Sequence, residues 1–139
     1  MDALVDAASP MWSQLWALTS RLREMDPIEL VRVQGGGRDE KGVIDMPWID
    51  YDPIIYVIEK LLYELKVIQG LDWGEWLSDR GLENAMALTS VESGSLLDTV
   101  SMMTAIFRSE RFGSGAIAET LRNGALLALL DRLRRLVES

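Results

Sequence analysis

Residues 42–65 read GVIDMPWIDYDPIIYVIEKLLYEL, and the fold turns on where this stretch changes from strand to helix. The first half has the character of an extended arm. Val43 and Ile44 are β-branched, and Ile44, Met46 and Trp48 recur at the two-residue period of a strand. Pro47 has no N–H to give a ladder, so it ends the strand or holds it at a sheet edge. Asp52-Pro53 then starts a helix. The carboxylate accepts a free N–H of the first turn, and proline at the first helical position loses nothing. Ile54, Ile58, Leu61, Leu65 and Ile68 follow at spacings of three and four, one apolar stripe that Ile55 and Leu62 widen. This helix is expected to be the spine of the core.

Working upstream, 28–34 reads as a second strand. Gly35, Gly36 and Gly37 and the charged residues 38–41 lie between the two, so the pair reads as a β-hairpin. The three glycines carry no nucleotide signature, because no Gly-Lys-Ser/Thr follows and no helix opens behind them. Ser9-Pro10 is another helix start. Met11, Leu15, Leu18, Leu22 and Met25 form its stripe, with Trp12 and Trp16 beside it as core residues, and it stops before Pro27. Residues 1–8 are expected to fray.

Downstream, Gln69-Gly70 reads as a helix cap. Trp73 and Trp76 follow among Asp72, Glu75 and Asp79. These acids read as a solvated face rather than a metal site, since Gly74 weakens a helix there and no calcium-loop pattern is present. A short helix is expected over 84–94. Ser95 and Asp98 make a capping box ahead of the stripe Leu96, Val100, Met103 and Phe107, which closes near Ser109. Arg108 and Arg111 flank that end, where cations complement the helix dipole. A short helix over 116–122, a left-handed turn at Asn123-Gly124 and a last helix over 125–137 complete the chain. The last helix opens ALLALL, which belongs in a core and not against base edges. The fold class is α+β and mostly helical: a two-stranded antiparallel hairpin packed against about five helices. At 139 residues, the chain is expected to be a single domain, 1–139.

Composition narrows the chemistry. There is no His and no Cys. That removes the commonest general base near neutral pH, thiolate and imidazole zinc sites, and Cys or Ser–His nucleophiles. Carboxylate, Lys, Arg, Tyr and Ser chemistry remains. The net charge is −8 and uneven: 39–107 carries 13 acids against 4 bases, while 108–139 carries 6 Arg against 4 acids. An acidic body argues against direct nucleic-acid binding, which relies on cations displacing counterions. It suits a basic surface on another protein. No apolar run reaches the ~20 residues of a membrane helix. The opening MDALVDAAS lacks a secretory pattern. The expected compartment is the cytoplasm, with no cofactor and no metal implied.

GVIDMPWIDYDP, DWGEW and TAIFRSERFGSGAIAETLRNGALLALLDRLRRL together resemble a group of short bacterial proteins known as domain of unknown function 6508. The resemblance runs over about 42–136, and its most recognisable parts are Met46-Pro47 with Tyr51, and Arg111-Phe112 with Gly115 and Asn123-Gly124. It implies one small domain with a hairpin and several helices, and brings no established activity with it. Relatives often carry polar or ionisable residues where this chain has Gly113 and Ala116, and an acid at Arg122. A catalytic role at those positions would not carry over.

These features favour an interaction module acting by protein–protein contact. It would serve as an accessory, or as a mobile-element inhibitor that covers a basic, nucleic-acid-facing surface. The candidate surface is Trp48, Tyr51, Asp72, Trp73, Trp76, Arg108 and Arg111. Pairing of an edge strand at 43–46 with a second copy would make a homodimer. The alternative is a carboxylate enzyme with a divalent cation, built on Asp45, Asp50, Asp52 and Asp72 with Arg108 or Arg111 as an anion clamp. The poverty of catalytic groups weighs against it.

Overall fold

The structure, a computed structural model, describes residues 8–34, 40–42, 48–70, 88–110 and 115–138. Among them the order is α1 (Met11–Glu24), α2 (Pro27–Leu30), β1 (Val31–Gln34), β2 (Trp48–Tyr51), α3 (Pro53–Glu64), α4 (Leu88–Ser93), α5 (Leu96–Glu110), α6 (Ala116–Asn123) and α7 (Ala125–Glu138). The mostly helical α+β class read from the sequence is the one observed. The two strands pair antiparallel, with Val31 opposite Tyr51 and Gln34 opposite Trp48.

One boundary of the hairpin differs from expectation. Residues 28–30 are not strand. Asp26-Pro27 repeats the helix-start chemistry of Asp52-Pro53: Asp26 Oδ1 accepts the Ile28 N–H at 3.0 Å, and one helical turn precedes β1. The local cap outweighs an apolar alternation only a few residues long. Among the described residues the second strand runs over Trp48–Tyr51. The expected arm and edge strand at 43–46 lie outside the described residues.

Helix α3 starts as its sequence demands, with Asp52 Oδ1 accepting the Ile54 N–H at 3.0 Å. Its end comes earlier than Gln69-Gly70. Lys66 takes φ +65°, Val67 N–H reaches Leu62 O at 2.8 Å and Lys66 N–H reaches Tyr63 O at 3.1 Å. These two bonds are a Schellman closure with lysine where glycine is usual. Ile54, Ile55, Ile58, Leu61, Leu62, Leu65 and Ile68 are all buried, as the stripe requires.

The innermost element is nevertheless α5, where every residue from Thr99 to Phe107 is buried. Two of its buried hydroxyls donate to backbone carbonyls: Thr99 Oγ1 to Ser95 O at 2.9 Å at the start of the helix, and Thr104 Oγ1 to Val67 O at 3.3 Å across the core. The capping box is reciprocal. Ser95 N–H donates to Asp98 Oδ2 at 3.2 Å, and Asp98 N–H to Ser95 Oγ at 3.1 Å. Helices α6 and α7 pack on α5, and α1 packs on both α3 and α7. Trp12 and Trp16 are core residues, stacked with ring centres 5.4 Å apart, and the Arg134 guanidinium lies 5.6 Å from the Trp16 ring centre. Leu18 is half-buried rather than core. Ile44 lies outside the described residues.

Two of the three arginines of α7 make polar contacts within the protein. Arg132 Nε donates to Gly94 O at 2.8 Å, and Arg134 pairs with Glu138 at 3.0 Å. Among the described residues, no helix is long and apolar enough to cross a membrane.

Candidate functional site

Four elements meet at Tyr51. In β2, alternation sends Tyr51 into the protein, where it is 5% exposed, while Asp50 stays half-buried at the edge. The Tyr51 hydroxyl donates to Glu110 Oε1 at 2.7 Å and accepts the Ala118 N–H at 3.2 Å. Glu110 is the last residue of α5. Its Oε1 also accepts the Ile117 N–H at 2.9 Å, and its Oε2 the Gly115 N–H at 3.3 Å. One carboxylate and one phenol therefore satisfy three N–H groups around the start of α6, where negative charge also complements the helix dipole. Gly115 supplies the left-handed turn ahead of α6. It sits at φ +71°, and a Cβ there would lie 3.4 Å from Ile49 Cδ1.

Beside this link stands a second phenol–carboxylate pair. Tyr56 Oη donates to Asp50 Oδ1 at 2.9 Å and accepts the Tyr51 N–H at 3.3 Å. The two rings meet edge to face, centres 6.4 Å apart and planes at 70°. Both phenols titrate above their ordinary value. For Tyr51 burial is the main cause, reinforced by the hydrogen bond and charge of Glu110, with the Ala118 N–H pulling the other way. For Tyr56 burial again leads, the Tyr51 N–H opposes it, and Asp50 adds to the rise. Each ring stays protonated at neutral pH and serves as a hydrogen-bond donor and an aromatic wall, not as a base.

A cavity of about 240 Å³ opens at this junction. Among the described residues, Ile49, Ile55, Phe107 and Ile117 supply its apolar lining, joined by Tyr51, Tyr56, Glu59 and Glu110. None of these described lining residues is Lys or Arg. A second groove, of about 210 Å³, lies between α2 and α6 with Ile28, Val31 and Arg122 at its sides.

Of the sequence-derived surface, only part falls within the described residues. Tyr51 is buried in the cavity wall rather than displayed on a face. Arg108 is half-buried, its guanidinium carbon 6.0 Å from the Tyr63 ring centre and its Nε buried with no hydrogen-bond partner among the described residues. Trp48 contributes its backbone to β2, and its side chain lies outside the described residues, as do Asp72, Trp73, Trp76 and Arg111. Of the carboxylates considered for a cation, Asp50 is bound to Tyr56 and Asp52 caps α3. Asp45 and Asp72 lie outside the described residues. Among the described residues, no three acidic side chains come together as a metal site.

Sequence reasoning missed Tyr56, Glu59 and Glu110. A signal existed for the first two, which are one turn apart on the flank of the α3 stripe. Glu110 stands just ahead of the glycine-rich start of a short helix, a position suited to a capping carboxylate.

A family model described as a family of unknown function, DUF6508, matches residues 7–139. No curated protein and no solved structure matches the chain.

Proposed function

We propose, for a chain that belongs to the family of unknown function DUF6508, that it is a protein-interaction module which receives a basic surface of another protein at the Tyr51–Tyr56 cavity. The observation that carries this reading is the pair of phenols, each donating to a carboxylate at an apolar cavity, in a chain of net charge −8. Such a lining suits recognition. It offers aromatic faces, negative charge and apolar area, and its phenols are held in the state that does not accept a proton. A protein surface that faces nucleic acid is basic for the reasons that make the acid bind it. An accessory or inhibitory role against such a protein is the form this proposal takes.

The test is affinity capture from the source lysate with the tagged full chain, comparing the native protein with Glu59→Lys. Capture is run at about 0.1 M and about 1 M salt, between which the screening length falls from about 10 to about 3 Å. The expected result is a distinct partner at low salt that is lost both at high salt and with the variant. Recovery of the same proteins in all conditions, or of none, refutes the proposal.

A further inference from the structure

The geometry points to one chemical group as the occupant of the Tyr51–Tyr56 cavity: the cationic end of a lysine or arginine side chain from the partner. This deepens the reading just given and rests on it for the source of that side chain.

Size comes first. Sites for drug-sized ligands run from ~300 Å³ upward, while a cavity of ~150 Å³ already takes benzene. At about 240 Å³ this one suits a single long side chain and is small for a nucleotide or a folded cofactor. Its lining then selects the kind of side chain. Ile49, Phe107 and Ile117 offer apolar contact along a methylene stem, as lysine and arginine stems require. The two tyrosine rings line the cavity and meet edge to face with planes at 70°, which places aromatic surface in two orientations beside a cation. Each phenol donates its proton toward a carboxylate. That leaves the ring richer in electrons and strengthens its pull on positive charge. Glu59 and Glu110 add negative potential, and the low dielectric of the apolar wall lets it act at short range. An anionic guest meets repulsion from the same groups. The groove at Ile28 and Arg122 has no such lining among the described residues, and serves as an internal control.

The experiment is an NMR titration of the full chain, followed on the isoleucine methyl and tyrosine ring signals. The probes are N-acetyl-lysine methylamide and N-acetyl-arginine methylamide, with N-acetyl-norleucine methylamide as the neutral analogue and agmatine as a free small amine. The expected result is a saturable shift at Ile49, Ile117 and Tyr56 with at least one cationic amide, at least about fivefold tighter than norleucine. Glu59→Gln should weaken it by about three- to tenfold, and Ile28→Ala in the other groove should leave it unchanged. Norleucine binding as well as the cations, an unchanged affinity in Glu59→Gln, or no saturable shift overturns the proposal. Agmatine binding more than about tenfold tighter than both cationic amides overturns the side-chain assignment in favour of a free amine. Failure here with successful partner capture moves the interface elsewhere on the protein. Success here without any captured partner leaves the cation site standing and removes the protein as its source.

Discussion

Tyr51→Phe removes a single oxygen and is the most informative perturbation of the site. The hydroxyl lies 2.7 Å from Glu110 Oε1 and 3.2 Å from the Ala118 nitrogen, on a residue that is 5% exposed. A hydrogen bond to a charged group is worth about 1.5–3 kcal/mol, and an N–H left buried without an acceptor costs a further ~1–3 kcal/mol. The loss is limited because Glu110 keeps the Ile117 and Gly115 N–H groups and the phenylalanine ring preserves the packing. The net expectation is a destabilisation of about 2–3 kcal/mol, a large share of the ~5–15 kcal/mol of a typical domain. Urea unfolding at neutral pH should show a lower midpoint at unchanged slope.

An alkaline series adds a signature that packing alone does not produce. Tyr51 titrates higher in the folded state than in the unfolded chain. Its contribution is therefore complete below about pH 10 and is lost as pH rises toward the folded value, at about 1.4 kcal/mol per pH unit. The native protein should lose stability more steeply above pH 10 than the variant does. A variant within about 0.5 kcal/mol of the native protein, the range of an unremarkable surface change, with parallel alkaline limbs, would refute the link between β2, α5 and α6.

Three further changes probe the frame that holds the site, each read by urea or thermal unfolding. Lys66→Gly should stabilise by about 0.5–1 kcal/mol, because a left-handed conformation costs a side-chain-bearing residue ~1–2 kcal/mol and glycine's greater freedom when unfolded returns part of that gain. Ser95→Ala should cost about 1 kcal/mol by removing one half of the capping box before α5. Gly115→Ala should cost about 1–2 kcal/mol, since φ +71° is strained for alanine.

Signals confined to a few neighbouring residues were the legible ones. Asp52-Pro53, Ser95 with Asp98, and Asn123-Gly124 each specify a helix end by local hydrogen bonding, and each stands where the sequence puts it. Period-three-and-four stripes likewise placed Ile58, Leu126 and Leu130 in the core. Residues 28–30 went wrong because two local signals compete there, and the Asp26 cap outweighs the alternation. The end of α3 was hidden because lysine does not announce a left-handed turn. The site itself was least legible. Tyr51 and Glu110 are 59 residues apart in the chain, and only packing of β2 against α5 and α6 brings them together. The depth of α5 is also a tertiary fact: the stripe Leu96, Val100, Met103 and Phe107 does not by itself show that Thr99 and Thr104 are buried too, with Ser95 and Val67 carbonyls accepting their hydroxyls.

The central claim is that the Tyr51–Tyr56 cavity meets positive charge on another protein, and a site-directed cross-link tests it most directly. A photoreactive residue is placed at Val57, which is 46% exposed beside Tyr56, and the adduct formed in cells is mapped by mass spectrometry. The account expects a partner peptide that carries lysine or arginine at or next to the linked position, with the adduct abolished by Glu59→Lys. A linked peptide lacking basic residues, or an adduct that persists undiminished in Glu59→Lys, would contradict it.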